Sequence, residues 1–339
     1  MAIRDLFSVQ IGTEASSDTW GSLARTPTAK LMGIADISIT PQVDVTMIDE
    51  LRGSQAPGFT SVITEVGGEA SVEGVVTYED IPYWLNGMFG AAGTTEDAGD
   101  TDYTDREWAA PLTNYDSDSP TPSIYTLVFG DKSVSTTSTD TLSLLGATMN
   151  TLTISGEDGQ PLSFEAGLFG KQVSEDALAS LADRTVVVAM GSHCSLWIDP
   201  AASAAGTTAV DTTAFSFELT MNANRAPVRH LGTNTPDGYR DAKMTGELAL
   251  SLEMNATSRA YLSDIVGVSD EVRKVVRIQA TVGAAVLQFD FNGVALSAPE
   301  VHTDRDGVIS LEMVLSGEYG ATLGNWLTFL STNTVASLA

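Results

Sequence analysis

The sequence predicts a mainly β protein made of two tandem, similar β-sandwich or barrel domains, each with one flanking α-helix. Three observations predict this class. Apolar residues recur mostly with period two, the β-favouring residues Thr and Val are abundant beside 30 glycines that suit turns, and long blocks of the sequence are repeated. Alternation over four to eight residues is typical of half-buried strands, and a repeat indicates duplicated structural units.

The strands are indicated most clearly by four segments in which every second residue is apolar or small while the residues between are mostly polar. These segments are Ala70–Val76, Leu162–Leu168, Leu248–Met254 and Ile309–Leu315. Because successive strand side chains point to opposite faces, such segments bury one face and leave the other to solvent. They therefore predict sheets with one apolar and one polar face.

The helices are indicated by the first repeated block, Tyr78–Gly90 and Asn255–Gly267. Bulky residues take the same spacing in both copies, and pairs at i, i+1, i+4 and i+5 form one apolar helix face. Each copy ends in a glycine that suits a left-handed C-terminal cap. A strand introduced by Gly-Glu precedes each copy, so we expect one helix per domain.

A second block repeats without a gap. Gly146–Gly170 and Gly293–Gly317 are both 25 residues long, and each has a hairpin signal at its centre, Glu157-Asp158-Gly159 in one and Asp304 to Gly307 in the other. A weaker match aligns Ser8–Gly12 with Ser195–Asp199. Three blocks in the same order predict a first domain over residues 1–180 and a second over 181–339.

One segment of the first domain, residues 91–122, has no counterpart in the second. It holds eight acidic residues, one arginine and three prolines, which predicts a long polar surface loop. Tyr103, Trp108 and Tyr115 lie inside it. Aromatic residues in a polar loop often anchor an interface, although local packing explains them equally well.

Two further segments join or end the domains. Lys171–Arg184 is predicted to form a short helix between them. The tail from Gly320 carries several large apolar residues and is expected to dock on another part of the chain.

The charge balance excludes several classes of protein. Asp and Glu number 44 against 17 Lys and Arg, a formal net charge of −27, which excludes a basic nucleic-acid-binding surface. A single cysteine excludes a disulfide framework, and no apolar run reaches the ~20 residues that span a bilayer. The start lacks the apolar core of a signal peptide, so we expect assembly in the cytoplasm. With only 5 Lys beside 26 Asp, the surface is typical of a halophilic source, or else reflects an acidic lining or loop set.

No catalytic constellation is found, and the sequence predicts neither a cofactor nor a metal. His193-Cys194 could offer two metal ligands, but adjacent strand residues point to opposite faces. The stretch Asp100–Asp105 lacks the glycine and terminal glutamate of a calcium-binding loop. Paired carboxylates do not indicate acid–base catalysis here, because so acidic a chain contains many such pairs. An enzyme on a β scaffold is therefore unsupported.

The first part of the chain nevertheless resembles a known family, the tail tube proteins of tailed viruses. The resemblance covers roughly residues 7–90. It rests on loose patterns of strand, glycine and aromatic residues at Val9–Glu14, Thr19–Gly21, Ile34–Ile39, Leu51–Gly53 and Thr77–Asp80. With its duplication, the chain is similar to long-tailed-virus tube proteins in which one chain carries two tube domains. In those proteins three chains make a ring equivalent to six domains.

The resemblance implies a structural virion protein and no enzyme. It implies a homotrimeric, pseudo-hexameric ring that stacks on further rings into the tail tube, a hollow conduit for genome ejection. The expected partners are other copies of the chain, the tape measure, tail terminator and baseplate or tail-tip proteins. Double-stranded DNA would pass through without specific binding, and no membrane is involved. The resemblance does not distinguish a contractile tail from a non-contractile one. The 91–122 insert would lie at a ring-to-ring junction or on the outer surface.

A conduit for DNA should repel it, because DNA carries about one negative charge per 1.7 Å of axis. The polar positions of the alternating strands are the candidates for the channel wall, namely Glu69, Ser71, Glu73, Glu247, Ser251 and Glu253. The alternative is that these residues face the outer solvent.

A different class of function also fits the composition. A secreted or cell-surface β-repeat protein, such as an adhesin or surface-layer component, can be acidic, Thr-rich and built of two β domains. Electron microscopy separates the two, because a tail tube gives stacked hollow rings and a surface protein gives monomers or a flat lattice.

Overall fold

The computed structural model describes residues 7–14, 20–21, 25–48, 60–96, 102–111, 121–131, 141–210, 213–265, 272–296, 300–305 and 307–338. Within them the chain forms twenty strands and two α-helices, which confirms the predicted mainly β class. The first-half elements are β1 (Phe7–Thr13), β2 (Ala29–Leu31), β3 (Ile34–Ile48), β4 (Thr60–Val75), α1 (Ile81–Phe89), β5 (Gly93–Glu96), β6 (Thr104–Ala109), β7 (Tyr125–Asp131), β8 (Thr141–Glu157), β9 (Ser163–Gly170) and β10 (Gln172–Glu175).

The second half begins after an extended connection. Its elements are β11 (Cys194–Pro200), β12 (Ala214–Asn222), β13 (Ala226–Val228), β14 (Gly238–Arg240), β15 (Thr245–Glu253), α2 (Ala256–Ile265), β16 (Arg273–Val282), β17 (Ala285–Ala295), β18 (Glu300–Arg305), β19 (Val308–Gly317) and β20 (Leu327–Asn333).

Eight strands, four from each half, form one continuous antiparallel sheet, which we call the shared sheet. Its order is β3-β4-β9-β8-β12-β15-β19-β18. The two halves meet at the pairing of β8 with β12 in the middle of the sheet. The shared sheet is thus a single surface that crosses the whole chain.

Each half also has outer strands. They pair as β2-β1-β7-β8-β10 in the first half and as β11-β16-β17-β20 in the second, where the first-half hairpin β6-β5 extends the layer beyond β20. The long strand β8 serves both layers of the first half. Gly146, at φ 67°, lies between its two parts, and this left-handed conformation favours a residue without a Cβ. The bend carries β8 from the outer layer into the shared sheet.

The core lies between the layers and runs without interruption through both halves. All nine residues of α1 are buried, and Trp84 of this helix packs on Phe164 of the shared sheet with ring centroids 5.3 Å apart. Helix α1 begins at Ile81, three residues into the predicted segment, with Pro82 in its first turn, where a missing backbone N–H costs nothing. Helix α2 falls within its predicted segment. Neither of the described helices is long and apolar enough to cross a membrane.

Most strand pairings of one half have a counterpart in the other, with β8 matched by β17 and β18 together. In the outer layers, the pair β1–β7 corresponds to β11–β16, and the pair β7–β8 corresponds to β16–β17. In the shared sheet, the pair β3–β4 corresponds to β12–β15. The pair β4–β9 corresponds to β15–β19, and the pair β8–β9 corresponds to β18–β19. Both predicted hairpin turns are present, with Gly159 at φ 71° and Gly307 at φ 85°. This order is the basis on which we continue to propose two domains, divided near residue 180.

Two expectations about the connecting segments are wrong. Lys171–Arg184 forms no helix, because its first residues pair as β10 with the edge of β8 and the rest has no regular secondary structure. The described part of residues 91–122 is not one polar loop but the hairpin β5–β6, which adds to β20 at the end of the chain. The tail itself docks as predicted, as strand β20 between β17 and β6.

Candidate functional site

The polar side of the shared sheet, here called the acidic face, is the most distinctive surface of the chain. Residues directly opposite one another in neighbouring strands share a face. One such row therefore crosses six strands on this side, through Asp36, Glu73, Glu165, Thr153, Thr220 and Glu247. The row joins carboxylates of both halves on one surface.

All six residues predicted to line a channel lie on the acidic face, because their alternate neighbours are buried on the other side of β4 and β15. Glu69, Glu73 and Glu247 are exposed, whereas Ser71, Ser251 and Glu253 are half-buried. The structure thus brings residues of the two halves that are 174 or more positions apart onto one face. Their place in a channel wall stays a prediction.

The charge of the shared sheet is almost entirely of one sign. Its eight strands contain thirteen acidic residues and a single basic one, Arg305 in the edge strand β18. The acidic residues are Asp36, Asp44, Glu65, Glu69, Glu73, Glu157, Glu165, Glu218, Glu247, Glu253, Glu300, Asp304 and Glu312. A sheet with so little compensating charge repels other polyanions at short range.

Several of these carboxylates stand opposite each other in the ladder. Glu73 is opposite Asp36 on one side and Glu165 on the other. Directly opposed like charges destabilise an antiparallel pair. The sequence therefore retains this negative charge at a cost in stability.

The shared sheet ends in two edge strands, β3 and β18. In the described parts of the chain, the ladder of β3 is with β4 and that of β18 is with β19. A sheet edge presents backbone N–H and C=O groups that can pair with another strand. The chain therefore offers one strand edge at each end of the same sheet.

The joint between the halves shows how such edges meet. Seven residues of β12, Ser216–Asn222, pair with Glu157–Thr151 of β8. At its centre Leu219 stands opposite Ile154, and both side chains are buried. An antiparallel ladder with an apolar centre thus holds the halves together.

A buried arginine adds to this joint. Arg225, in the loop after β12, donates from Nη1 to the carbonyl oxygens of Gly87 and Met149, each at 2.8 Å, and from Nη2 to that of Met88 at 2.7 Å. Its Nε pairs with the Asp241 carboxylate at 2.5 Å. A side chain of the second half thus satisfies carbonyl groups at the end of α1 in the first half. No feature of the sequence distinguishes this residue from the other arginines.

The hairpin that follows Arg225 makes further contact with the first half. Arg229 pairs with Glu65 at 2.5 Å, and the backbone N–H of Val66 donates to the carbonyl of Asn234 at 2.8 Å. The hairpin β13–β14 therefore lies against the outer part of the β3–β4 hairpin.

The three aromatic residues of segment 91–122 that are predicted to contact a neighbouring ring differ in their environments. Trp108 is only 4% exposed, and its Nε1 donates to Oδ1 of Asn86 at 2.9 Å, so its predicted contact between rings is wrong. Strand β6 holds it in the core opposite Phe329. Tyr103 is half-buried against the same core and stays a proposed contact. Tyr115 lies outside the described residues.

The burial of Trp108 has a signal in the sequence that the composition of the insert conceals. Arg106, Trp108 and Ala110 alternate with exposed residues, as in a strand. Arg106 is buried as well and donates to Oδ1 of Asn333 at 3.1 Å and to the carbonyl of Val335. Its partners come from the other end of the chain, more than 220 positions away.

His193 and Cys194, the residues considered above as metal ligands, do not form a reactive site in the described structure. Burial raises the pKa of the Cys194 thiol to about 12, so the thiol is protonated at neutral pH. The neighbouring His193 accepts a long hydrogen bond from the backbone N–H of Met190 through Nδ1, at 3.3 Å. No group of His, Cys, Asp and Glu that could hold a metal ion occurs among the described residues.

The comparisons with known proteins give one match. The model of a family described as phage tail tube protein matches residues 8–323. A search of the curated proteins finds no match. The matched residues include the whole shared sheet and the joint between the halves.

Proposed function

This chain belongs to the phage tail tube protein family, and we propose that three copies close into a ring whose bore is the acidic face, with rings stacked into the tail tube. The family is one of structural proteins, and its members are components of the virion tail. The match favours this function over the adhesin or surface-layer alternative. The proposal concerns how copies of this chain close into a ring and which surface of the ring faces the DNA.

The observation that carries the proposal is the joint between β8 and β12. The corresponding strands of the opposite halves are β18 and β3, which are the two edge strands of the shared sheet. Because the halves share one order of pairings, the joint inside the chain serves as a template for a joint between chains. β18 of one copy would then pair with β3 of the next.

The template also fixes the register. Ile154 is opposite Phe164 in the first half, and Val301 takes the same place opposite Leu311 in the second. Leu219 is opposite Leu248, and Ile39 takes that place opposite Ala70. Ile39 of one copy would therefore stand opposite Val301 of its neighbour, as Leu219 stands opposite Ile154.

The number of copies follows from the resemblance to a ring of six domains. With two domains in each chain, three copies complete the ring, and their shared sheets join into a barrel of 24 strands. Strands about 4.8 Å apart and tilted as in other barrels give a backbone diameter of roughly 40–50 Å. Closure leaves no open edge in the ring, which removes the risk of edge-to-edge aggregation.

The electrostatics support the proposal that the acidic face lines the bore. The buried side of the shared sheet packs on the core, so in a closed barrel the acidic face points inward. Carboxylates there repel the phosphates of the duplex, and a basic wall would bind and retain it. The acidic face uses at most thirteen of the 44 acidic residues, so we retain adaptation to a salt-rich host as the explanation for the rest.

Stacked rings also need neighbours at the ends of the tube. We propose the tape measure protein inside the tube and terminator and baseplate or tail-tip proteins at its ends, with assembly in the host cytoplasm. Tyr103, in the hairpin β5–β6, is placed at the contact between rings.

Electron microscopy and native mass spectrometry of the purified protein test this proposal. We expect hollow tubes, and single rings with three times the mass of the chain. A ring of six chains would contradict the proposed ring of six domains, because it would contain twelve domains and twice as many joints between domains. Monomers or flat lattices at all concentrations would contradict the tube itself.

A further inference from the structure

We propose that the edge strand β3 is guarded against pairing with a second β3, so that it accepts the β18 edge of another copy instead. The choice of β18 as the partner strand rests on the proposed ring, whereas the guard is a feature of β3 itself. It would make every joint between copies a head-to-tail joint.

The pairing of β3 with β4 decides which backbone groups of β3 point to the open edge. The N–H of Val75 donates to the carbonyl of Gly33, so Val75 faces β3. In an antiparallel ladder the residues of a strand face its two neighbouring strands alternately. Every second residue of β4 before Val75 therefore also faces β3, down to Gly67, the partner of Gln42. In Asp36–Gln42 this leaves three residues that face outward, namely Ile37, Ile39 and Pro41.

Two of these three residues have no backbone N–H available for another strand. Pro41 lacks the N–H altogether, and in sheets proline is found on edge strands with this side toward solvent. The N–H of Ile37 donates to Oδ1 of the neighbouring Asp36 at 2.9 Å. We call Asp36 and Pro41 the edge guard. Within Asp36–Gln42, Ile39 thus keeps the one outward N–H that can donate across the edge.

Strand β12 is open at the joint inside the chain. The N–H of Ala223 donates to the carbonyl of Asn150 at 2.8 Å, and the same register runs back through Ser216–Asn222. By alternation Phe217 and Met221 also face β8, each with an N–H for the ladder. The joint inside the chain therefore has donors at both places.

These two places in β12 are the ones that are guarded in β3. Pro41 is opposite Gly68 in β4. Met221 is opposite Gly246 in β15, and both glycines precede the glutamate that introduces the repeated strand. Four residues earlier, Ile37 takes the place of a phenylalanine in the same way. The fold of a half does not require the guard, and the strand that carries it is the one left at an edge.

The β18 edge offers the donors that β3 lacks. The carbonyl of Ile309 accepts a hydrogen bond from the segment after β15, so Ile309 faces β15 and the even-numbered residues of β19 face β18. Glu300 and Thr303 are opposite two of these residues and therefore face β19. Val301 and Asp304 face outward, each with a backbone N–H and a carbonyl group.

A second β3 is a poor partner for the guarded edge. With Ile39 opposite its own counterpart, each Pro41 stands opposite an Ile37, and neither residue has an N–H to give. In the register of the proposed ring Val301 stands opposite Ile39, and the N–H of Asp304 can then donate to the carbonyl of Ile37. Pairing of two β3 strands joins two chains symmetrically and diverts both from the ring. Pairing of β3 with β18 is head-to-tail and can close.

Removing the guard tests the inference. Asp36→Ala with Pro41→Val supplies both missing N–H groups, and native mass spectrometry counts the chains in each species. We expect the ratio of two-chain species to rings to rise about tenfold, the effect of one or two further hydrogen bonds. Both altered side chains are exposed, so circular dichroism should match the wild type.

The matched control is Asp36→Asn with Thr40→Val. It retains an acceptor oxygen for the N–H of Ile37 and changes an exposed residue of the same strand whose backbone faces β4. The control frees no outward N–H, so its ratio of two-chain species to rings should equal that of the wild type.

Disulfide trapping identifies the strands that pair. In a Cys194→Ala background, which removes the one native thiol, Ser38→Cys and Thr40→Cys place thiols opposite each other when two β3 strands pair about Ile39. Opposite residues that share no hydrogen bonds have Cα atoms about 4.5 Å apart, within the range of a disulfide. We expect covalent dimers on a non-reducing gel when the guard is removed, and monomers when it is intact.

The outcomes separate the guard from the ring. A guard variant that forms rings of three chains, with no rise in two-chain species and no covalent dimers, would overturn this inference and leave the ring standing. Wild-type protein that forms no rings would overturn the proposed function, and covalent dimers confined to the guard variant would still confirm the guard.

Discussion

The guanidinium of Arg225 donates to the carbonyl oxygen of Met88 at 2.7 Å, so that a side chain of the second half completes the end of a helix in the first. The same guanidinium reaches three carbonyl groups and one carboxylate. With the ladder between β8 and β12, this makes the relation between the halves a fixed part of the fold. In the proposed ring each of the three chains would span one third of the circle, so a rigid pair of halves would set the curvature within that third.

We therefore expect Arg225→Ala to destabilise the whole chain. Removing the guanidinium takes away the donors that it provides to the carbonyls of Gly87, Met88 and Met149 and leaves Asp241 without this partner, and the expected loss is about 3 kcal/mol. Urea unfolding followed by circular dichroism measures it. Arg259→Ala, which truncates an exposed arginine, is the control and should change stability little. Equal effects of the two substitutions would contradict the bridging role.

A second prediction concerns acid. Asp199 is buried, which by itself raises the pKa of its carboxyl, but hydrogen bonds from Gly206, Thr207 and Thr208 prevail and lower this pKa below its ordinary value. A carboxyl whose folded pKa is lowered adds stability above its unfolded pKa of ~3.9, and this stability is lost as the pH falls through the folded pKa.

Asp199→Asn should therefore destabilise the chain by about 2 kcal/mol at pH 7, because an amide N–H2 cannot accept these hydrogen bonds. The difference from the wild type should shrink below pH 4. Parallel urea titrations at pH 7 and pH 3 measure both values, and a difference that grows on acidification would contradict the assignment.

Elements formed by local interactions were predictable from the sequence, whereas elements formed with distant residues were not. Local signals, such as the alternation in β4 and β15 and the turns at Gly159 and Gly307, predicted the strands and hairpins that the structure contains. Segments whose partners lie far away in sequence were misjudged. Residues 91–122 are too polar to fold by themselves, and strand β6 forms because β20 offers it a ladder more than 200 positions later.

The candidate site shows the same division. Period-two alternation placed Glu69, Glu73 and Glu247 on a polar face correctly. It could not show that β8 and β12 join the two polar faces into one, because strand order within a sheet is a long-range property. Arg225 was missed for the same reason, since its role depends on carbonyl groups in the other half.

The third prediction follows from the buried hairpin. Trp108→Ala should destabilise the protein by about 3–5 kcal/mol, because it leaves a large cavity beside Phe329 and removes the donor to Asn86. Glu107→Ala, on the exposed side of the same strand, is the matched control and should be nearly neutral. Thermal unfolding of the two variants measures the difference. A Trp108→Ala protein that unfolds like the wild type but fails to stack would restore a contact between rings.

The fourth prediction concerns the opposed carboxylates. Glu73→Gln should stabilise the folded chain at low salt, because Glu73 faces Asp36 and Glu165 across the ladder and its removal relieves repulsion. The gain should fade as salt is added, because ions screen exposed charges. Glu107→Gln, outside the shared sheet, is the control. Thermal unfolding from 0.05 to 2 M salt measures both, and a gain independent of salt would contradict the electrostatic origin.

The last prediction tests why the sheet is acidic at all. Glu73→Arg and Glu247→Arg change two exposed residues of one row, one in each half, and in a ring of three chains they would place six cations around the bore. We expect tubes of the double variant to retain double-stranded DNA on a filter at low salt and to release it as salt rises, since each neutralised phosphate adds to the salt dependence of binding. Wild-type tubes should retain none. Glu107→Arg with Glu318→Arg adds the same charge outside the shared sheet, and binding by this variant alone would place the acidic face on the outside of the tube. Equal and weak binding by both variants would show that the charge of the face has no bearing on DNA, and the repulsive conduit would then be wrong even though the tube stands.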